Sequence, residues 1–427
     1  MKILHLCLSN WYVDGNSYQE NILPKIQFLH GHDVKIIAST ETYLNHKKIG
    51  YVLPSEYFTE HNIPIKRLAY QKLFNHFLTK KLRFYKGLYR EIESFEPEII
   101  FIHGHHFCSI YEVKRYAQNN PSVKIFVDSH SDYYNCAKTW LSKNVLHKIV
   151  YKWCARQIEP FAEKFYGTLP IRCEFLHEVY SVPREKIEFL PFGVDDSDMP
   201  PPCSLGSGGG RVGMSSEFGV FFYTRFKSLL AELRSEHREH RENSEYILYK
   251  RYKETKNDYF IIITGGRVEK RKKILDLMRV VKKMDREDIK LLIFGSVVDE
   301  IKDEFYGLLG CNEDFNDTII FLGWLRPDEV YSYFLASDLA VFPGTHSVLW
   351  EKAVGCGLPC VFKYMKGIDH VDLGGNCRFL HENTDEELER IILELYNDRE
   401  KLNTMRQIAK EKGKDVFSYK RIAMKIL

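Results

Sequence analysis

Two short stretches bring together residue types that handle phosphates and sugar hydroxyls. In the first, Gly265-Gly266-Arg267 is followed closely by Lys270-Arg271-Lys272-Lys273. Paired glycines let a ligand approach the backbone, and an arginine fork with a lysine point charge nearby can neutralise a diphosphate. The same residues would also suit a solvated, basic helix start. The second stretch is Pro343-Gly344-Thr345-His346-Ser347-Val348-Leu349-Trp350-Glu351. Backbone N–H groups at the start of a helix there would favour a phosphate. Glu351, one turn in, could accept hydrogen bonds from both hydroxyls of a ribose, or simply sit favourably on the helix dipole.

Histidines supply further candidates. His130 closes Asp128-Ser129-His130 after an apolar run, and His103-Gly104-His105-His106 closes another. Three crowded histidines without an acidic partner suit acceptor contact at His105 and His106 better than metal binding. A loop histidine of no special role is the alternative reading of His130.

Positioning these groups requires short buried strands alternating with helices. Lys2–Leu8, Val34–Ala38, Ile99–Ile102, Lys124–Val127, Lys164–Gly167 and Glu188–Leu190 read as strands in the first half. Helices are expected near 18–29, 80–94, 141–158 and 171–181. Tyr259–Thr264, Lys290–Phe294 (ending in Gly295), Ile319–Leu322, Leu339–Phe342 and Cys360–Phe362 repeat the alternation, and a helical tail follows from about residue 385. That order predicts an α/β protein with two doubly wound, Rossmann-like domains facing a cleft, where ligands of such sheets bind. The expected division is 1–195, a linker and insertion over 196–256, a second domain over 257–405 and a C-terminal helix over 406–427, the C-terminal helices returning toward the first domain. Pro200-Pro201-Pro202 and the Gly/Ser-rich run from Ser204 to Ser216 mark the insertion. Gly208-Gly209-Gly210-Arg211-Val212-Gly213 formally matches a dinucleotide fingerprint, but a proline run precedes it rather than a strand.

Gross composition narrows the class. The 427 residues carry a net charge of +3 with 44% hydrophobic and 28% charged residues, which gives no support to a nucleic-acid binder working through bulk charge. Ten cysteines are scattered without C-x-x-C spacing, as in a reduced, cytoplasmic protein. The histidine-interrupted N-terminus reads as a strand rather than a leader, and no apolar run of about 18 residues predicts a membrane span. The stripe Leu141–Arg156, with four basic residues at helical spacing, leaves open a peripheral contact with the inner face of a membrane.

In order and spacing, Gly266-Arg267, Lys272, Phe321-Leu322-Gly323-Trp324, Ala336-Ser337-Asp338-Leu339, Glu351-Lys352-Ala353 and Gly357-Leu358-Pro359 resemble the donor half of glycosyltransferase family 4 (group 1), which has the GT-B fold. Gly15, Gly31-His32-Asp33-Val34 and Pro191-Phe192-Gly193-Val194-Asp195 resemble steps of its first half. The resemblance implies a hexosyltransferase that moves sugar with retention from a nucleotide diphosphate sugar, such as a UDP-sugar, to a glycan or lipid-linked acceptor in surface polysaccharide synthesis. Arg267 and Lys272 would stabilise the leaving diphosphate, so that no metal or other cofactor is needed. Glu351 would hold the ribose, His130 would stand near the transferred sugar, and Gly15, Gly266, Gly295, Thr345, His346, Ser347 and Val348 would line the donor. One departure stands out: the family's first glutamate, eight before Glu351, is Pro343 here, and the loop is about four residues shorter. A catalytically impaired binding protein and a nucleotide-sugar 2-epimerase remain as alternatives.

Overall fold

A computed structural model describes residues 1–44, 48–73, 75–136, 139–199, 259–310 and 318–427. Most of the expected insertion, including Gly208–Gly213, lies outside the described residues.

The chain forms two compact units. The first comprises Met1–Asp196, Met365–Val371 and Asp415–Leu427; the second comprises Ser197–Tyr364 and Asp372–Lys414. The first is built on an eight-stranded sheet of β1 (Lys2–Cys7), β2 (Asp33–Ser39), β5 (Glu56–Phe58), β6 (Pro64–Leu68), β7 (Ile99–His103), β8 (Lys124–Ser129), β9 (Ala162–Gly167) and β10 (Ile187–Phe189), in the order β10-β9-β8-β7-β1-β2-β6-β5. A small hairpin of β3 (Glu41–Leu44) and β4 (Lys48–Tyr51) sits beside it in sequence. All neighbours in the large sheet are parallel except β5, which runs antiparallel to β6 at the edge.

Parallel strands are covered on both faces, so each needs apolar side chains on both. Alternation along the strands divides the core accordingly. Leu4, Leu6, Ile100, Ile102, Ile125 and Val127 pack in one cluster. Ile3, Cys7, Ile36, Phe101 and Phe126 pack in another, which also takes in Tyr419, Ile422 and Ala423 of the C-terminal helix Tyr419–Met424. The C-terminal helix therefore completes the first unit.

The Pro191–Asp195 step owes its residue types to that docking. Val194 N–H donates to Phe417 O at 2.6 Å and Tyr419 N–H returns a bond to Val194 O at 3.0 Å. A Cβ on Gly193 would stand 2.5 Å from Phe417 O. Buried Asp195 accepts from Lys25 Nζ at 2.8 Å.

The second unit carries six parallel strands, β11 (Phe260–Gly265), β12 (Ile289–Phe294), β13 (Ile319–Gly323), β14 (Leu339–Phe342), β15 (Cys360–Lys363) and β16 (Cys377–Leu380), in the order β13-β12-β11-β14-β15-β16. In each sheet the strand order reverses beside the first strand, between β1 and β7 and between β11 and β14. Loops at the carboxyl ends of those strands are the ligand-binding positions of doubly wound sheets.

The helix expected over 80–94 is two helices, His76–Leu82 and Leu88–Phe95. Arg83 at φ 52° and Gly87 at φ 80° break it. Between them Tyr85 turns fully into the core, where its hydroxyl donates to Leu8 O and its N–H to Ser109 Oγ.

Candidate active site

In the second unit, three strand ends converge. Gly266 (φ 104°) and Gly295 (φ 122°) follow β11 and β12, and a Cβ on Gly295 would stand 1.8 Å from Gly266 O. Only glycine fits there. Gly266 N–H donates to Phe294 O at 3.0 Å and Gly295 N–H to Gly323 O at 2.7 Å, which ties the three loops together. Arg267 is exposed at the end of β11.

Lys272 sits in a short 3-10 turn (Lys270–Lys272) and is almost wholly buried. Its ammonium donates to Thr345 O at 2.7 Å and His346 O at 2.8 Å. Thr345 N–H donates to Arg271 O at 3.0 Å, and a Cβ on Gly344 would lie 2.3 Å from Lys272 Cα. The two stretches singled out in the sequence are thus laced into one structure. Thr264, Gly265, Lys272, Gly344, Thr345 and Ser347 help to line a small pocket there. Burial, with Arg271 adding repulsion, lowers the Lys272 ammonium from its ordinary value to about 7.

Glu351 lies in the helix Leu349–Gly355 and is fully buried. Its Oε1 is 2.8 Å from His346 Nε2, and the His346 ring meets Trp350 edge-on at 5.1 Å. His346 therefore occupies the shortened loop as the neighbour of the carboxylate. Val348 begins the turn into the helix, where Lys352 N–H donates to its carbonyl.

In the first unit, Gly15 adopts φ 71° in the loop after β1, and space around it is open. Its conformation, not crowding, calls for glycine. That loop is pinned by Arg67, a residue without a signal in the sequence. Buried Arg67 donates to Asp14 Oδ2 at 2.9 Å, to Ser39 O at 3.0 Å and to Tyr12 O at 3.3 Å.

His130 follows β8, with about a quarter of its side chain exposed. Its Nε2 lies 3.4 Å from Asp128 Oδ2, an ion-pair distance rather than a tight hydrogen bond. Burial works against its charged form, but the Asp128 charge prevails and raises it. Burial alone would raise Asp128; His130 and His103 carry it well below the usual carboxylate range instead.

His105 is fully buried, both ring nitrogens lacking a hydrogen-bond partner among the described residues. His106 Nε2 meets Tyr180 Oη at 2.8 Å, and the same hydroxyl meets His147 Nδ1 at 2.6 Å. Burial lowers His105 to about 3 and His147 to about 4. The pair sequence reasoning joined as one motif thus enters an aromatic cluster with Tyr151 and Tyr180.

Residues 248–412 match the family model described as Glycosyl transferases group 1. No curated protein matches the sequence. Among solved structures, sucrose-phosphate synthase from Thermosynechococcus elongatus aligns at TM-score 0.63 and 14% identity, covering 99% of this chain and 96% of that one. Anabaena HepE in complex with UDP aligns at 0.62 and 14%, covering 100% and 98%. UDP-GlcNAc 2-epimerase from Neisseria meningitidis, bound to UDP-GlcNAc, aligns at 0.55 and 10%, covering 100% and 99%.

Proposed function

We propose, for a chain that has the GT-B fold and is like the group 1 glycosyltransferases, that it transfers a sugar with retention from a UDP-sugar to a glycan or lipid-linked acceptor. The observation that carries this reading is the lacing of Lys272 to the Gly344–His346 loop beside buried Glu351, inside the segment that matches the family. Uridine as the base is carried over from HepE, whose complex holds UDP.

Each residue has a task that follows from its chemistry. Arg267, exposed at a strand end, takes the diphosphate as a bidentate fork. Lys272 adds a positive charge that strengthens as the leaving group gains its own, so its effect falls mainly on the transition state. These two cations supply the charge that a metal would otherwise bring, and we assign the enzyme no metal. Gly266 and Gly295 allow the phosphates to approach the backbone, with Thr345, Ser347 and Val348 as further donor contacts. Glu351 exchanges His346 for the ribose hydroxyls, and His346 then turns to the sugar. His130 stands at the transferred sugar, and Gly15 lets its loop meet the phosphates.

A lipid-linked acceptor in surface polysaccharide synthesis accords with the helical stretch Ser142–Ile158. Trp140, Leu141, Ile149 and Trp153 are exposed beside Lys143, Lys148 and Arg156. Such a face suits an anionic bilayer surface on the cytoplasmic side. No helix among the described residues is long and apolar enough to cross a membrane.

The test is a panel of nucleotide sugars incubated with glycan and lipid-linked acceptors, following free nucleoside diphosphate and the anomeric configuration of the product by NMR. Release of UDP with a retained anomer supports the reading. Binding without turnover of any donor rejects it, and conversion of a UDP-sugar to its 2-epimer would reassign the enzyme.

A further inference from the structure

Three imidazoles and a carboxylate run through the centre of the first sheet. β1 reads Ile3-Leu4-His5-Leu6-Cys7, and the side chain of His5 is fully buried in that apolar run. His5 Nε2 meets Gln27 Oε1 at 2.6 Å and its Nδ1 meets His103 Nε2 at 3.0 Å. His103 Nδ1 meets Asp128 Oδ2 at 3.1 Å across the β7–β8 ladder, where the two residues are register partners. Asp128 Oδ1 accepts from Gly104 N–H at 2.9 Å, so Oδ2 alone is shared between His103 and His130. His5, His103 and Asp128 have no exposed surface; His130 is where the chain reaches solvent.

Burying such groups costs several kcal/mol unless they find partners; His5, His103 and Asp128 are hydrogen-bonded in series, while His130 is held by Asp128 at ion-pair distance. A network serving stability alone could end at Asp128. This one continues to the partly exposed imidazole placed at the carboxyl end of β8.

We propose that Asp128 is a positioning residue for His130, and that His103 and His5 complete a buried hydrogen-bonded chain that fixes Asp128 as the anion holding the His130 ring by Nε2. Nδ1 of His130 is then left to meet the substrate. The consequence for catalysis rests on His130 acting at the transferred sugar, but the positioning itself does not. The other charged groups that bear on His130 are Glu20 from the helix Gln19–Leu29, which favours its proton, Arg172 from the helix Pro170–Tyr180, which opposes it, and neighbouring His106. Arg172 is itself held by Asp132 at 2.9 Å. Asp128, 3.4 Å from the ring, outweighs Glu20 and Arg172.

The test is the titration of His130 in the full-length protein by histidine-labelled NMR, its signal assigned by loss in His130→Gln. Asp128→Asn should lower the His130 midpoint by at least about one pH unit, a tenfold loss of proton affinity. His103→Gln, one step further along, should lower it by a smaller amount, which keeps the idea testable if Asp128→Asn does not fold. Asp128→Glu should recover part of the shift. A folded Asp128→Asn or His103→Gln with an unchanged midpoint overturns the proposal. These measurements use no donor, so they stand whether or not any nucleotide sugar is turned over. With an active enzyme, the acid limb of the kcat/KM profile should move with the His130 midpoint, and a limb that stays put would remove the catalytic consequence.

Discussion

Lys272 gives the sharpest quantitative prediction. Its ammonium titrates near 7 in the free protein, held there by burial and by Arg271. A fall of that size from 10.5 is a bias of about 5 kcal/mol against the charged form. A diphosphate placed beside it reverses the bias, so donor binding should draw a proton onto Lys272. At pH 8 about nine-tenths of the free protein has Lys272 neutral, and binding should take up ~0.9 proton. The dissociation constant for UDP should then weaken by about ninefold between pH 8 and 9, where the diphosphate is already fully ionised. Isothermal titration calorimetry in buffers of different ionisation enthalpy reads the proton count directly. Lys272→Met should abolish both the uptake and the slope, and weaken binding at pH 7 by roughly 10-fold or more through loss of charged hydrogen bonds. Part of that loss would come from the loop, since Nζ also holds Thr345 O and His346 O, but loosening a loop leaves no proton signature. Affinity independent of pH between 8 and 9, or an equal slope in Lys272→Met, would refute the reasoning. The stability sign follows from the same shift: the unfolded chain keeps the proton up to about 10.5 and the folded one loses it near 7, so ligand-free stability contributed by this group rises with pH across that window.

Other consequences are simpler to check. Arg267→Ala should cut kcat/KM by about 100-fold or more while leaving the melting temperature unchanged, because the side chain is exposed and its proposed work is on the leaving group. Gly295→Ala should lower stability by more than about 3 kcal/mol in denaturant titration, since a Cβ would collide with Gly266 O at φ 122°. Lys25→Met removes the cation from buried Asp195 and should cost about 3–5 kcal/mol, read by the same titration. Flotation with anionic vesicles should be weakened by Lys148→Glu by about 2 kcal/mol, from a change of two charges at the surface, and should be lost in high salt.

What the sequence disclosed and what it hid divide along the range of the interactions. Strand runs such as Ile99–Ile102 and Lys290–Phe294 were legible because a parallel strand needs apolar residues on both faces, and that requirement is written locally. Gly266 and Lys272 stood out for a similar local reason, as residue types suited to phosphate, and the structure puts Gly266 just after β11 and Lys272 in the turn that follows. The edge strand β5, the hairpin of β3 and β4, and β16 were not read, because their alternation is short and partly polar. The helix break at Arg83–Gly87 depends on Tyr85 reaching Leu8 O, a partner far away in sequence. Arg67 is the clearest instance: alone it is one arginine in a short strand, and only the fold brings Tyr12, Asp14 and Ser39 around it. The same holds for His346. Sequence comparison registers it as a loop residue where a glutamate is missing, whereas the structure puts its Nε2 on Glu351. The shortened loop therefore supplies a polar partner for the Glu351 carboxylate, one that can donate as well as accept. On the proposed reading, a donor entering this site would displace an imidazole hydrogen bond rather than meet an open carboxylate, which would make His346 as much a part of donor selection as Glu351.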